Sequence, residues 1–308
     1  MRKGALAPIA IMVLIVGLIA IAIRREEGDS PAGGGSRLSV TASFYPLYYF
    51  ATRVGGENAA VSDITPPGAE PHDYEPTPRD IVQMSSSALL ILNGAGLEAW
   101  GDKIRSDINP GRTRLVVAAE GLATRTLVEN GETTTDPHVW LSPPLAAKMV
   151  GAIAAGFESA DPAHAAGYHA RADSLEADLA ALDRDYRAGL HTCGVRDFVT
   201  SHAAFGYLAE AYDLHQVAIA GLSPDAEPSP KTLADLAGFV RTKGLRYIFF
   251  ETLVSPRFAR ALAAETGAKT LVLDPLEGLL PEEAAGGENY ISIMRRNLAN
   301  LRIALQCP

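Results

Sequence analysis

Cysteine is nearly absent from this 308-residue chain, which carries only Cys193 and Cys307. Modules that hold a metal ion with several cysteine thiolates are therefore excluded, and any metal ligands must be histidines or carboxylates. Neither cysteine directly follows the N-terminal apolar segment, so a lipid-bearing cysteine is not expected. In an oxidising compartment the pair predicts a disulfide, and two free thiols are the alternative.

Positive charge is also scarce, because 27 Lys and Arg stand against 36 Asp and Glu, for a formal net charge of -9. An acidic surface repels phosphate backbones and attracts cations, so nucleic acid is not an expected partner. The chain also lacks a His-Glu-x-x-His helix and a serine elbow motif, which are typical of zinc proteases and of α/β-hydrolases. With 47% hydrophobic residues it can still bury a core.

One long apolar run lies near the N-terminus. Residues 5–23 carry no charge and could cross a hydrocarbon core of ~30 Å as a helix. We therefore predict a signal or anchor segment over residues 1–25, a Gly- and Ser-rich linker over 26–36, and an extracytoplasmic protein. Small residues at Ala20 and Ala22 fit cleavage by signal peptidase, which would give a periplasmic or secreted form. The length of the run and the arginines that follow it favour an uncleaved membrane anchor.

From residue 37 onward, short β-type runs alternate with helical patterns. Leu89–Leu92 and Tyr247–Phe250 are the clearest strands. Further strands are predicted over 38–43, 115–118, 197–201 and 270–273, and helices over 46–54, 97–104, 204–212 and 290–305. Strands separated by helices predict right-handed crossovers and parallel sheets.

The region from 144 to 190 differs from the rest, because Ala, Leu and charged residues at helical spacing predict a shorter helix and then one long helix. We predict an α/β fold of two lobes with parallel-type sheets, joined by this long spine helix. The predicted N-terminal lobe covers 37–160, the linking helix 161–190 and the C-terminal lobe 191–308.

Three histidines lie where a predicted strand gives way to a loop, at the sheet edge that faces the ligand crevice in open α/β folds. His72 lies in a proline-rich loop, His138 follows Pro137, and His202 directly follows a strand. Asp274 ends a later strand. Each of these histidines alone is more often a surface or core residue, and His164 and His169 on the long helix are predicted to be solvated.

Together, three imidazoles and one carboxylate form a donor set that suits tetrahedral zinc. The sequence therefore predicts a metal site made of His72, His138, His202 and Asp274. Glu251, at the tip of a neighbouring strand, could accept a hydrogen bond from a ligand histidine, could itself bind the metal, or could face solvent.

Five stretches in register resemble the zinc and manganese substrate-binding proteins of bacterial ABC importers: PHDYEPTPRD, DPHVWLSP, TSHAAFGYLA, FFETLVSP and LVLDPLEGL. The resemblance implies two α/β lobes that bind a divalent metal ion in the cleft between them and deliver it to an ABC transporter permease. It places the ligands at the four residues named above and matches Glu251 to a recurring acidic position. We expect a monomer and no enzymatic activity.

The third ligand position indicates which metal is transported. Relatives that take manganese usually carry glutamate there, whereas this chain has His202, and an additional imidazole favours Zn²⁺ over the harder Mn²⁺. The chain departs from many zinc-specific relatives in residues 121–135, which contain no histidine-rich loop. A manganese receptor of the same family, a zinc-dependent hydrolase with a bound water and an adhesin remain the alternatives.

Overall fold

The computed structural model describes residues 37–129 and 131–308. The predicted signal or anchor segment and the linker lie outside the described residues. Within the described residues, none of the helices combines the length and the apolar character needed to span a membrane. Residues 38–308 form one compact unit.

The N-terminal half contains a four-stranded parallel sheet in the order β2-β1-β3-β4. Its strands are β1 (Leu38–Ala42), β2 (Ala59–Asp63), β3 (Leu89–Leu92) and β4 (Arg114–Val117). The helices of this half are α1 (Tyr45–Gly55), α2 (Pro78–Ser86), α3 (Gly101–Asp107) and α4 (Pro143–Ala160). An antiparallel hairpin, β5 (Thr126–Glu129) with β6 (Glu132–Thr135), precedes α4. All four side chains of β3 are buried, as expected for an inner strand of a parallel sheet covered on both faces.

The C-terminal half repeats this plan with a parallel sheet in the order β10-β9-β7-β8. Its strands are β7 (Asp197–Thr200), β8 (His215–Ala218), β9 (Tyr247–Phe250) and β10 (Lys269–Val272). The helices are α6 (Gly206–Ala211), α7 (Pro230–Lys243), α8 (Arg257–Thr266), α9 (Pro281–Ala285) and α10 (Tyr290–Ala304). The α/β fold with parallel sheets is thus confirmed.

A single helix of 26 residues, α5 (Ala165–Leu190), lies between the two sheets in sequence. Its buried residues recur every three or four positions along one face, as an amphipathic helix requires: Tyr168, Ala172, Leu175, Leu179, Leu182, Tyr186 and Leu190. This face contacts α1, α4 and α10, so one hydrophobic core runs through both halves. The predicted lobe boundaries themselves stay a prediction.

The predicted disulfide is confirmed: Cys193 and Cys307 are bonded across a sequence separation of 114 residues. The bond ties the segment after α5 to the end of the chain. Two backbone hydrogen bonds, from Gly194 to Gln306 and from Val195 to Leu305, accompany it. Closing a loop of this length stabilises the fold by about 4–5 kcal/mol in the chain-entropy model.

The helix predicted over 97–104 was wrong at its start. Glu98 is buried there, and its carboxylate accepts hydrogen bonds from the backbone N–H groups of Asn93 (2.7 Å) and Gly94 (2.9 Å). These bonds hold the segment as a loop, and α3 begins at Gly101. The hairpin β5–β6 and the strands β2 and β8 were not predicted. β2 and β8 are edge strands with partly exposed residues and therefore carry weak apolar patterns.

Candidate metal centre

Four side chains converge at the sheet edges where the two halves meet: His72, His138, His202 and Glu277. The Nε2 atom of His138 lies 3.2 Å from Nε2 of His72 and 3.3 Å from Nε2 of His202. Glu277 Oε1 lies 3.1, 3.4 and 3.3 Å from Nε2 of His138, His72 and His202. Three histidines predicted from the sequence are therefore brought together.

These distances match those of a tetrahedral zinc site. Four donors at ~2.0–2.1 Å from a central ion lie about 3.3 Å from one another. The five donor–donor distances given above run from 3.1 to 3.4 Å. The donor set, three imidazole nitrogens and one carboxylate oxygen, is also one that zinc prefers.

His138 is fixed by the short segment that leads into α4. Both its backbone N–H (3.0 Å) and its Nδ1 (2.8 Å) contact Oδ1 of Asp136, and both side chains are buried. Donation from Nδ1 to a carboxylate leaves the lone pair of Nε2 free to face the other side chains of the cluster. Tyr207, from the C-terminal half, donates its hydroxyl to the backbone carbonyl of Asp136 at 2.9 Å and so supports the same segment.

His202 is fixed in a similar way by the C-terminal half. It directly follows β7 and is fully buried. Glu251, at the end of the neighbouring strand β9, contacts Nδ1 of His202 through Oε2 at 2.7 Å and accepts its backbone N–H through Oε1 at 3.1 Å. Of the three sequence-based possibilities for Glu251, the structure places it behind the histidine and outside the converging group.

His72 lies in the loop between β2 and α2. The end of this loop is held by Thr77 and Asp80, which form a capping box at the start of α2. Within the loop, the backbone N–H of His72 donates to Oε1 of Glu70 at 3.3 Å. The His72 side chain is 10% exposed, whereas those of His138, His202 and Glu277 are 0% exposed. His72 therefore lies on the side of the cluster that faces solvent.

The structure brings Glu277, and not Asp274, together with the three histidines, which differs from the expectation from the sequence. Oδ1 of Asp274 accepts the backbone N–H of Leu276 at 2.8 Å, and its Oδ2 lies 3.4 Å from Arg296. The carboxylate is thus used to shape its own loop. Leu276 adopts a left-handed φ of 60°, which turns the chain so that the following residue, Glu277, reaches the histidines.

The charges of the cluster depend on one another. Burial opposes protonation of His138 and His202, but contacts with Asp136, Glu251 and Glu277 outweigh burial and raise the pKa of both imidazoles. Burial also disfavours charge on Glu277, yet the adjacent histidines lower the pKa of its carboxyl well below the usual value. Burial lowers the pKa of His72. The buried carboxylates therefore favour positive charge beside them, and a bound cation would supply it.

Two residues that matter at this centre were missed in the sequence. Asp274 was chosen instead of Glu277 because it directly ends the predicted strand. The Asp274-Pro275 pair is nevertheless typical of a turn, which indicates that the Asp274 carboxylate bonds within its own loop. Asp136 lies two residues before His138, a spacing at which a carboxylate can hold a histidine. His164 and His169 are outside the cluster, and their side chains are 54% and 71% exposed, as predicted.

Known proteins resemble the chain along most of its length. The family model described as zinc-uptake complex component A, periplasmic (ZnuA), matches residues 40–304. The high-affinity zinc uptake system protein ZnuA of Bacillus subtilis is 37% identical over 311 aligned positions, covering 96% of each chain. The zinc-binding lipoprotein AdcA of Streptococcus pneumoniae is 35% identical over 95% of this chain, which spans only 60% of AdcA.

Solved structures agree with this likeness. The crystal structure of the Zn(II)-bound ZnuA-like domain of Streptococcus pneumoniae AdcA superposes with a TM-score of 0.77 at 37% sequence identity. The match covers 88% of this chain and 99% of that domain. The similarity therefore extends over both sheets and the helix between them.

Proposed function

The chain belongs to the family of periplasmic zinc-uptake complex component A proteins, and on that premise we propose that it captures Zn²⁺ outside the cytoplasm and delivers it to an ABC-type permease. Members of this family are components of an uptake complex and not enzymes. The metal ion is the cargo of the protein, and His72, His138, His202 and Glu277 are its proposed ligands.

The observation that carries this proposal is the convergence of four protein donors at tetrahedral spacing in a nearly closed site. A hydrolytic zinc centre needs a coordination position for a water molecule that the metal can activate. Here the four donors would fill all positions around a tetrahedral ion, so binding is favoured over catalysis. The ligands come from both halves, which suits capture of an ion and its later release.

Zinc is favoured over manganese by the chemistry of the donors. Divalent ions bind nitrogen and oxygen sites more tightly from Mn²⁺ to Zn²⁺, and imidazole suits zinc better than it suits the harder manganese ion. Three imidazoles and a single carboxylate oxygen also form a small, four-coordinate site. Mn²⁺ would prefer additional oxygen ligands.

A competition titration of Zn²⁺ against Mn²⁺ tests the metal assignment. We expect the wild type to prefer zinc by a wide margin and His202→Glu to narrow that margin, because the substitution adds an anionic oxygen donor and removes a nitrogen. His215→Glu is the matched control, since His215 is exposed and lies outside the cluster. A wild type that prefers Mn²⁺, or an unchanged ratio in His202→Glu, would refute the assignment of zinc to this site.

We further propose that the protein is a monomer held at the membrane by residues 1–25. A short linker of about ten residues would keep the metal-binding unit close to a permease. Mass spectrometry of the N-terminus in the membrane fraction would identify an uncleaved anchor, and sedimentation of the protein without that segment would give its oligomeric state. A mature protein that begins after Ala22 would overturn the anchor.

A further inference from the structure

We infer that Trp140 is a positioning residue that joins the segment carrying His138 to the segment carrying Glu277. This inference rests on the proposed role of Glu277 as a metal ligand. The indole Nε1 of Trp140 donates a hydrogen bond of 2.7 Å to the backbone carbonyl of Pro275. Trp140 is two residues after His138, and Pro275 is two residues before Glu277.

The bond crosses between the two halves of the molecule. Trp140 belongs to the helical turn before α4, whereas Pro275 belongs to the loop after β10. A second bond crosses in the same place, because Tyr290 at the start of α10 donates its hydroxyl to the Trp140 carbonyl at 2.5 Å. Trp140 and Tyr290 are fully buried, so neither bond competes with bulk water.

The indole ring also contacts a proposed ligand directly. The ring centroids of Trp140 and His138 are 5.2 Å apart, and Phe44 packs edge-on with the indole at a centroid distance of 4.7 Å. The Trp140 side chain therefore holds the His138 imidazole by packing and the Glu277 loop by hydrogen bonding. One rigid side chain relates the positions of two proposed ligands from different halves.

The Glu277 loop is held at its first residue but needs a second restraint closer to Glu277. Its first residue, Asp274, is clamped to α10 by Asn297, through bonds of 2.9 Å and 2.7 Å to the Asp274 backbone. Between Asp274 and Glu277, the chain bends through the left-handed Leu276. Because the Trp140 bond fixes Pro275 relative to His138, it sets how far Glu277 extends toward the cluster.

The test is Trp140→Phe, measured as zinc affinity by competition with a chelator. We expect affinity to fall by about 10- to 100-fold, the range found when partners that orient metal ligands are removed. Trp100→Phe is the matched control, because Trp100 is also buried but its Nε1 has no hydrogen-bond partner among the described residues. That control should bind zinc as the wild type does.

A double-mutant cycle separates positioning from a general loss of structure. In a Glu277→Gln background, we expect Trp140→Phe to weaken binding by less than about 3-fold, because the ligand that Trp140 positions is already compromised. Equal losses in both backgrounds, or equal effects of Trp140→Phe and Trp100→Phe, would overturn the inference. Failure of the wild type itself to bind zinc would instead refute the proposed function.

A variant that removes a single hydroxyl group tests the inference if Trp140→Phe does not fold. Tyr290→Phe removes only the hydroxyl that bonds the Trp140 carbonyl, and we expect a loss of zinc affinity of about 3- to 10-fold. Tyr186→Phe is its control, since the Tyr186 hydroxyl also donates to a buried carbonyl, that of Met294 at 2.7 Å, but does not contact Trp140. Equal affinities in these two variants would contradict the role of Trp140.

Discussion

His138 and His202 are held differently from His72, although the Nε2 atoms of all three converge at one place. The first two are sealed from solvent, and each has a buried carboxylate, Asp136 or Glu251, at Nδ1. His72 lies on a loop and is partly exposed, and among the described residues no carboxylate contacts its Nδ1. The difference divides the site into a fixed part and a part carried by a loop. We expect the metal ion to enter and leave the site on the side of the His72 loop.

The two kinds of histidine should differ most when one of each is replaced by alanine. We expect His202→Ala to lower zinc affinity by at least about 100-fold, beyond the range for outer partners, because it leaves Glu251 and Glu277 buried without their imidazole. His72→Ala should cost about 10-fold, since water can reach the vacated position. Isothermal titration of both variants measures this. Equal losses would show that burial of the ligand does not set its contribution.

The carboxylates behind the fixed histidines provide the next test. Asp136→Asn and Glu251→Gln should each weaken zinc binding by about 10- to 100-fold, because an amide cannot hold the imidazole as firmly or raise its basicity. Glu265→Gln is a suitable control, since Glu265 is an exposed carboxylate paired with Arg241 and not with a histidine. Binding that is unchanged in both test variants would mean that backbone geometry alone orients His138 and His202.

The fixed and loop histidines should also differ in their response to pH. The raised pKa values of His138 and His202 mean that the metal-free site retains protons above the usual histidine pKa of ~6.5, and zinc must displace them. Affinity should therefore rise with pH between about 6 and 8, by about tenfold per pH unit for each proton released.

His72 should contribute less to that slope than His138 or His202, because burial lowers its pKa whereas theirs are raised. We expect His72→Ala to keep more of the slope than His202→Ala does. Titrations in two buffers with different heats of ionisation count the protons released. A slope that disappears in His72→Ala would reverse the assignment of the protonated residues.

The same division explains what the sequence could predict. His138 follows the antiparallel hairpin, and Asn93, just after β3, brings its segment to the sheet edge by donating to the Pro137 carbonyl at 3.1 Å. His202 comes just after β7, so its position follows from the geometry of parallel sheets. The choice between Asp274 and Glu277 does not, because it depends on which carboxylate is consumed by its own loop. That outcome rests on the left-handed conformation of Leu276 and on Asn297, which is 23 residues away in sequence. Strand periodicity carries no information about such contacts.

The smallest expected effect concerns the stiffness of the His72 loop. Pro67 is an exposed residue of this loop, so Pro67→Ala removes a backbone restraint without removing buried packing. A looser metal-free loop must lose more entropy on binding, about 0.4–1 kcal/mol for one proline, which corresponds to a 2- to 5-fold weaker affinity. Pro110→Ala, in the exposed loop before β4, is the control and should alter thermal stability alone. If zinc affinity is the same in both variants, the loop is already ordered without the ion, and His72 belongs with the fixed part of the site.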